Sequence, residues 1–418
     1  MITLLSNTHF DLKVLIPIAL LLFIAAIIPV ILSALKIKFI PVLVVEIVAG
    51  ILLGSFKSSE LFASHGHMNP LMEGLYIVGM GVLLFLSGLD TDFSVFKRVS
   101  KEEKCVHINA LTNVLLLCVI ALSVVLSLFF SKFMSNKVLG VVLLTIVFSS
   151  TFASIVIPLI HDEGLHHSTI GKIIATYATK SEFLSILALS VVMLVEGFMG
   201  EHSNPWLLLI MIIVLVLVYV FNRYFKLERF KKISGGIVHF SVRLIIAVLL
   251  GLMILCSVSG VEYILGAFLA GSVIKSAKPT KETIHKLESI GYGVFVPMFY
   301  ILVGVKVGMQ MSIVEMVKWE NLSLILLLFV LLVAVKIPFA YLFKWFKLST
   351  VIQTTIFVAC TLITSITAKE FGVIDEQLVD ALIVASCLTC IIPPILFDIT
   401  GKYGYSKIEC DERIVNPN

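Results

Sequence analysis

The chain is a succession of about thirteen apolar runs, each near the ~20 residues an α-helix needs to cross a bilayer core. They fall approximately at 13–35, 39–56, 70–90, 105–131, 138–160, 168–196, 205–224, 237–258, 261–275, 287–309, 320–345, 349–371 and 377–400. Of the 418 residues, 59% are hydrophobic and 14% charged, which is more apolar surface than a soluble protein of this length can hide. The fold class is therefore an all-α polytopic membrane protein. The first run is too long for a signal-peptide core and lacks a convincing small-residue cleavage site, so it is read as a helix. The ninth is short and glycine-rich, as a broken or tilted helix would be.

Alternate connections hold most of the basic residues. One set carries Lys36, Lys38, Lys97, Arg98, Lys101, Lys104, Lys172, the cluster from Arg223 to Lys232, Lys275 to Lys286, Lys344, Lys347, Lys402, Lys407 and Arg413. The other carries only Lys13, Lys57, Lys132, Lys137, Lys318 and Lys369. The positive-inside rule puts the rich set in the cytoplasm. An odd number of crossings in a cell membrane then leaves the N-terminus outside and the C-terminus cytoplasmic. No loop is long enough to fold alone, nor is the tail after Thr400, so any sensing domain is expected on a separate cytoplasmic regulatory subunit. The seven cysteines lie mostly within apolar runs, and Cys387-x-x-Cys390 reads as helix packing rather than a metal or redox pair. No cofactor, nucleic-acid partner or enzymatic chemistry is expected.

The stretch Phe148–Leu187 stands out against this background. The fifth run is interrupted by Ser149, Ser150, Thr151 and Ser154, and the sixth carries Lys180, Ser181 and Glu182 deep within its length. An ionisable group at mid-membrane depth costs roughly 2.5–3.5 kcal/mol on insertion scales, so its default reading is functional. The twelfth run repeats the hydroxyl-rich centre with Thr361, Thr364, Ser365 and Thr367. The two lie seven runs apart, so they cross in opposite directions, as in an inverted-topology repeat whose two broken helices meet at the midplane. The alternative is that these hydroxyls only pack helices together.

A hydroxyl-rich break beside a buried carboxylate suggests a small-cation site. Burial penalises the charged form of Glu182, so the group can hold either a proton or a bare cation but not both at once. Hydroxyls and freed carbonyls at the breaks would add oxygen ligands suited to Na+ or K+. Ser181 and Ser185 share a helix face bordering Glu182. Lys180 lies about 200° around the helix from Glu182 and is expected to face elsewhere. Glu46, Arg243 and Lys306 are candidates for structural ion pairs or interface contacts. Asp90 and Asp92 are either a cation-attracting rim or a solvated helix end. His161, His166 and His167 are either pH-sensing groups or an ordinary polar loop.

Four strings in order, VVEIVAGILLGS (44–55), GVLLFLSGLDTDF (81–93), ILGAFLAGSVI (264–274) and VFVPMFYILVGVKVGM (294–309), carry a family resemblance. From about residue 14 to 400 the chain resembles the monovalent cation:proton antiporter-2 family, the Kef-type exchangers. That resemblance implies the sodium/proton antiporter fold, a homodimer, and a mobile six-helix core built around two crossed, broken helices. The implied division is 1–104 and 199–319 for the dimerisation scaffold, 105–198 and 320–401 for the core, and 402–418 for a short tail. It implies Na+ or K+ and H+ as substrates, exchanged by alternating access. The family's ion-binding acid falls on Glu182, though Ser181-Glu182 stands where an Asp, Asn or Gln followed by Asp is usual. Its lysine on the eleventh helix falls on Lys336, either as a partner of Glu182 or as a structural charge. Its broken-helix hydroxyl falls on Thr151 or Ser150, with Thr364 and Ser365 the corresponding ligands in the second repeat. Two other readings share the fold class: a channel-like or sensory protein without coupled exchange, and a sodium-coupled solute symporter.

Overall fold

Apolar runs bounded by loops fold as helices because a helix satisfies its own backbone hydrogen bonds away from water. The computed structural model describes residues 15–35, 42–55, 62–64, 67–90, 103–134, 136–151, 156, 169–199, 240–258, 263–276, 279–310, 316, 318–336, 338 and 374–401. The helices are α1 (Ile16–Ala34), α2 (Val42–Ser55), α3 (Pro70–Asp90), α4 (Glu103–Phe129), α5 (Lys137–Ser149), α6 (Thr169–Met199), α7 (Phe240–Val258) and α8 (Tyr263–Ser276). They continue with α9 (Lys281–Ile290), α10 (Val296–Gln310), α11 (Trp319–Ala334) and α12 (Glu376–Gly401). A two-residue antiparallel ladder, β1 (Ala63–Ser64) with β2 (His67–Met68), lies in the connection between α2 and α3. The seventh and twelfth apolar runs lie outside the described residues.

Helix ends follow local chemistry. Asn136 caps α5, its side chain accepting from the Leu139 amide at 3.3 Å, and Thr280 caps α9 by accepting from Thr283 at 3.3 Å. The helix expected from about residue 287 begins earlier, at Lys281, because this cap starts it there. α9 runs into α10 through a π-helical turn, Gly291–Phe295. The eleventh run is interrupted within the described residues. Its regular part ends at Ala334, with Val335 and Lys336 in a turn before Pro338, which lacks an N–H and disfavours helical geometry in the residue ahead of it. The outer faces of α1, α4 and α7 expose Phe23, Leu117, Phe129 and Ile254, which suit contact with lipid.

Several helix pairs approach to backbone contact. On α2 and α10, a Cβ added to Gly50 would overlap the Ile301 carbonyl oxygen, and one added to Gly304 would overlap that of Ile47. Gly54 meets Val305 and Gly308 meets Ile51 in the same way. The partners rise together in residue number, so α2 and α10 run parallel. On α3 and α8, Tyr263 meets Met80 early in both helices, and further along Gly88 meets Phe268 and Gly271 meets Phe85, so these too run parallel. By contrast Gly79 of α3 lies against Phe299 while Leu86 lies against Gly291, so α3 and α10 run antiparallel. These directions agree with alternate crossing of the second, third, ninth and tenth runs. Such small-xxx-small contacts drive association where lipid offers no hydrophobic force.

Replacement of Gly50 or Gly304 by Ala should cost about 1–3 kcal/mol, because the backbones must part to admit the methyl. Gly74 and Gly251 have nothing within 4 Å of an added Cβ. Thermal unfolding of the detergent-solubilised protein should therefore show lowered midpoints for the first two Ala variants and unchanged or raised midpoints for Gly74→Ala and Gly251→Ala.

Candidate functional site

A helix leaves its last carbonyls unpaired, and α5 stops at Ser149 in the buried interior. Ser150 is extended, at φ −66° and ψ 156°. The serines help to stop it. Ser149 Oγ donates to the Ile146 carbonyl at 3.1 Å and Ser150 Oγ to that of Val147 at 2.9 Å, while the Ser150 amide also reaches Ile146 at 3.0 Å. Such back-bonding competes with continuation of the helix. Farther along, Lys336 Nζ donates to the Ser149 carbonyl at 2.9 Å, the Ser150 carbonyl at 2.8 Å and Thr151 Oγ1 at 3.3 Å. Three oxygens thus meet the three N–H donors of an ammonium that is 0% exposed. The positive charge also sits at the negative end of the α5 dipole.

α6, which carries the acid, docks on this break. Ser181 Oγ donates to the Ser149 carbonyl at 2.9 Å, so that oxygen accepts from both Ser181 and Lys336. The next residue, Glu182, is 8% exposed, and its Oε1 accepts from Ser87 Oγ of α3 at 2.9 Å. Tyr177, one turn before Ser181, places its ring 5.8 Å from Lys336 Nζ. Lys180 points to the other side, where its Nζ donates to Thr112 Oγ1 and Asn113 Oδ1 of α4, both at 2.9 Å.

The structure thus brings Ser150, Thr151, Ser181 and Lys336 together around one helix break, while Glu182, next to Ser181 in the chain, turns its carboxylate to Ser87 of α3. Thr364, Ser365, Asp92, His161, His166 and His167 lie outside the described residues, as does the Asp90 side chain. Among the other charges singled out, Glu46 is buried, and Lys306 sits over the Tyr76 ring at 4.4 Å. Arg243 is exposed on the first turn of α7 and is not a buried charge, because that turn lies at the start of the span. Sequence reasoning missed Ser87 and Tyr177. Ser87 lies inside the glycine string 81–93, where a single hydroxyl carries no pattern of its own. Tyr177 had a usable signal, being four residues before Ser181 and so on its helix face. Also missed was Asp380, a carboxyl buried on α12.

A sequence profile described as "Sodium/hydrogen exchanger, transmembrane" matches residues 20–399. The chain belongs to this sodium/hydrogen exchanger family. It is 31% identical over 388 residues to YjbQ of Bacillus subtilis strain 168, which is named for Na+/H+ antiport. That match covers 90% of this chain and 61% of the relative, so the chain spans about three-fifths of that protein's length. It is 25% identical over 373 residues to "Probable Na(+)/H(+) antiporter 3" of Methanocaldococcus jannaschii, covering 85% of this chain and 89% of the relative. The fold is that of the sodium proton antiporter MjNhaP1 from the same archaeon. The TM-score is 0.53 at 14% identity, with 93% of this exchanger-family chain and 97% of that chain covered.

Lys336→Met keeps the length of the side chain but removes its donors, leaving buried oxygens unpaired at about 1–3 kcal/mol for each one stranded. The thermal midpoint in detergent should fall clearly below wild type. An unchanged midpoint would rule out Lys336 as the cap of α5.

Proposed function

We propose that this chain is a secondary antiporter that exchanges a monovalent cation, Na+ or K+, for H+ by alternating access. Glu182 is the carboxylate shared in turn by the two. The observation that carries the reading is this buried acid one residue after Ser181, whose hydroxyl bonds the polar break of α5, in a chain of the sodium/hydrogen exchanger family. A buried carboxylate stays charged only if something compensates it, and a proton and a desolvated cation compete for that role. One carboxylate binding one of them at a time gives one-for-one exchange.

The oxygens of the break divide by availability. The Ser149 carbonyl already accepts two donors, filling both lone pairs, so it is a poor cation ligand while Lys336 stays in place. Thr151, Ser150 and Ser181 remain the candidate oxygen ligands on this side, with Thr364 and Ser365 their counterparts in the second repeat. Lys336 supplies the fixed positive charge of the site.

The Kef-type branch of the cation:proton antiporters is the reading that the four glycine strings favour within the family. The same reading takes 1–104 and 199–319 as a scaffold through which two copies form a homodimer, and 105–198 with 320–401 as the moving core. Contacts among α2, α3, α8 and α10 on one hand, and among α4, α5 and α6 on the other, fit that division. The basic loops favour an N-terminus outside and a cytoplasmic C-terminus, where a separate regulatory subunit would act.

The test is purified protein in liposomes with an imposed pH gradient. Addition of Na+ or K+ should dissipate the gradient, and Glu182→Gln should reduce the rate to that of empty liposomes. No cation-dependent proton movement by wild type would overturn the exchange reading in favour of a channel-like or sensory protein. Full activity of Glu182→Gln would overturn only the assignment of the carboxylate. Lys336→Ala should change the apparent cation affinity without abolishing exchange in protein that remains folded.

A further inference from the structure

Ser87 is the point at which one packing group touches the acid of the other. It is 4% exposed on α3, and its Oγ donates to Glu182 Oε1 of α6 at 2.9 Å. α3 is held firmly here, because its backbone meets that of α8 on either side of Ser87. Added Cβ atoms on Gly271 and Gly88 would overlap the carbonyl oxygens of Phe85 and Phe268 respectively. The Phe268 ring in turn lies 5.7 Å from that of Phe183, the residue after Glu182. The hydroxyl is thus fixed on the α3–α8 pair and reaches over the seam to an ionisable group on α6.

Resting on the reading of Glu182 as the exchange carboxylate, we propose that Ser87 is a placeholder for the cation. Its hydroxyl donates to the unloaded carboxylate, ties α6 to the α3–α8 pair, and is displaced when the cation loads. The physical reason is directional. A hydroxyl hydrogen aimed at a carboxylate oxygen is favourable while that oxygen carries net negative charge, and such charge-assisted bonds are roughly twice as strong as neutral ones. A cation arriving at the same oxygen meets the hydrogen end of the hydroxyl, so the hydroxyl must turn or part. Loading therefore weakens the tie between the two packing groups, and the empty, charged carrier is the form held in place. An antiporter needs this bias, because an empty carrier that crosses freely converts exchange into a proton leak. Ser87 is a positioning residue here, acting through Glu182.

The experiment is kinetics in the same liposomes with Ser87→Ala and Ser87→Cys, the second keeping the side-chain size while offering only a weak donor. Both should lower the apparent KM for the cation, by about ten- to a hundredfold for loss of one hydrogen bond to a charged group. Both should also show a cation-independent proton leak absent from wild type. An unchanged or raised KM in the Ala variant overturns the proposal, a raised value marking Ser87 as a cation ligand instead. A lower KM without the leak overturns it too, as does an Ala effect not shared by Cys, which marks packing. Failure of wild type to exchange at all would sink the antiport reading itself, a result distinct from wild-type exchange with unaltered Ser87 variants.

Discussion

A helix that ends inside a membrane exposes several carbonyls where no water can reach them, and each must be met by a donor or the helix will not end there. In this chain the donors are the hydroxyls of Ser149, Ser150 and Ser181 and the ammonium of Lys336. The lysine is the strongest of them, a full charge with three hydrogen bonds at the negative end of a helix dipole. The rest of the site follows from that contact. It fixes where α5 stops, which fixes where Ser181 docks, which in turn sets the position of Glu182 one residue later.

Around this polar centre the packing is divided in character. α2 with α10 and α3 with α8 touch backbone to backbone through glycines, so neither pair can slide without collision. α5 and α6 are joined instead by side-chain hydrogen bonds, as are α4 and α6 through Lys180, and these can be exchanged one partner at a time. Between the two kinds of contact lie the Ser87–Glu182 hydrogen bond and the Phe183–Phe268 ring contact. A glycine-packed group thus meets a polar, exchangeable one, with the acid at the seam.

Much of this was legible before any coordinates. Length and apolarity located the spans closely, with α3 at the expected limits and α6 and α12 within three residues of them. The cost of burying charge singled out Lys180 and Glu182, and helix geometry turned them to opposite faces, as their partners Thr112 and Ser87 bear out. The family resemblance led to Lys336, leaving open whether it pairs with Glu182 or serves structure. The hydrogen bonds place its ammonium on the carbonyls of the broken helix. Hydropathy gave no sign of the turn at Val335 and Lys336, because it averages over the proline that follows.

By itself the sequence determined the number and approximate limits of the apolar runs, their alternation, and the presence of an acid and a lysine too costly to be there by chance. These are local or additive properties, since each residue carries its own transfer free energy and each helix its own period. The tertiary structure alone decided that Ser87 meets Glu182 and that one carbonyl of Ser149 serves both Ser181 and Lys336. A hydrogen bond between residues 95 or 187 positions apart depends on how helices are stacked, which no single helix encodes. A lone serine or carbonyl gains meaning only from what the fold sets 3 Å away.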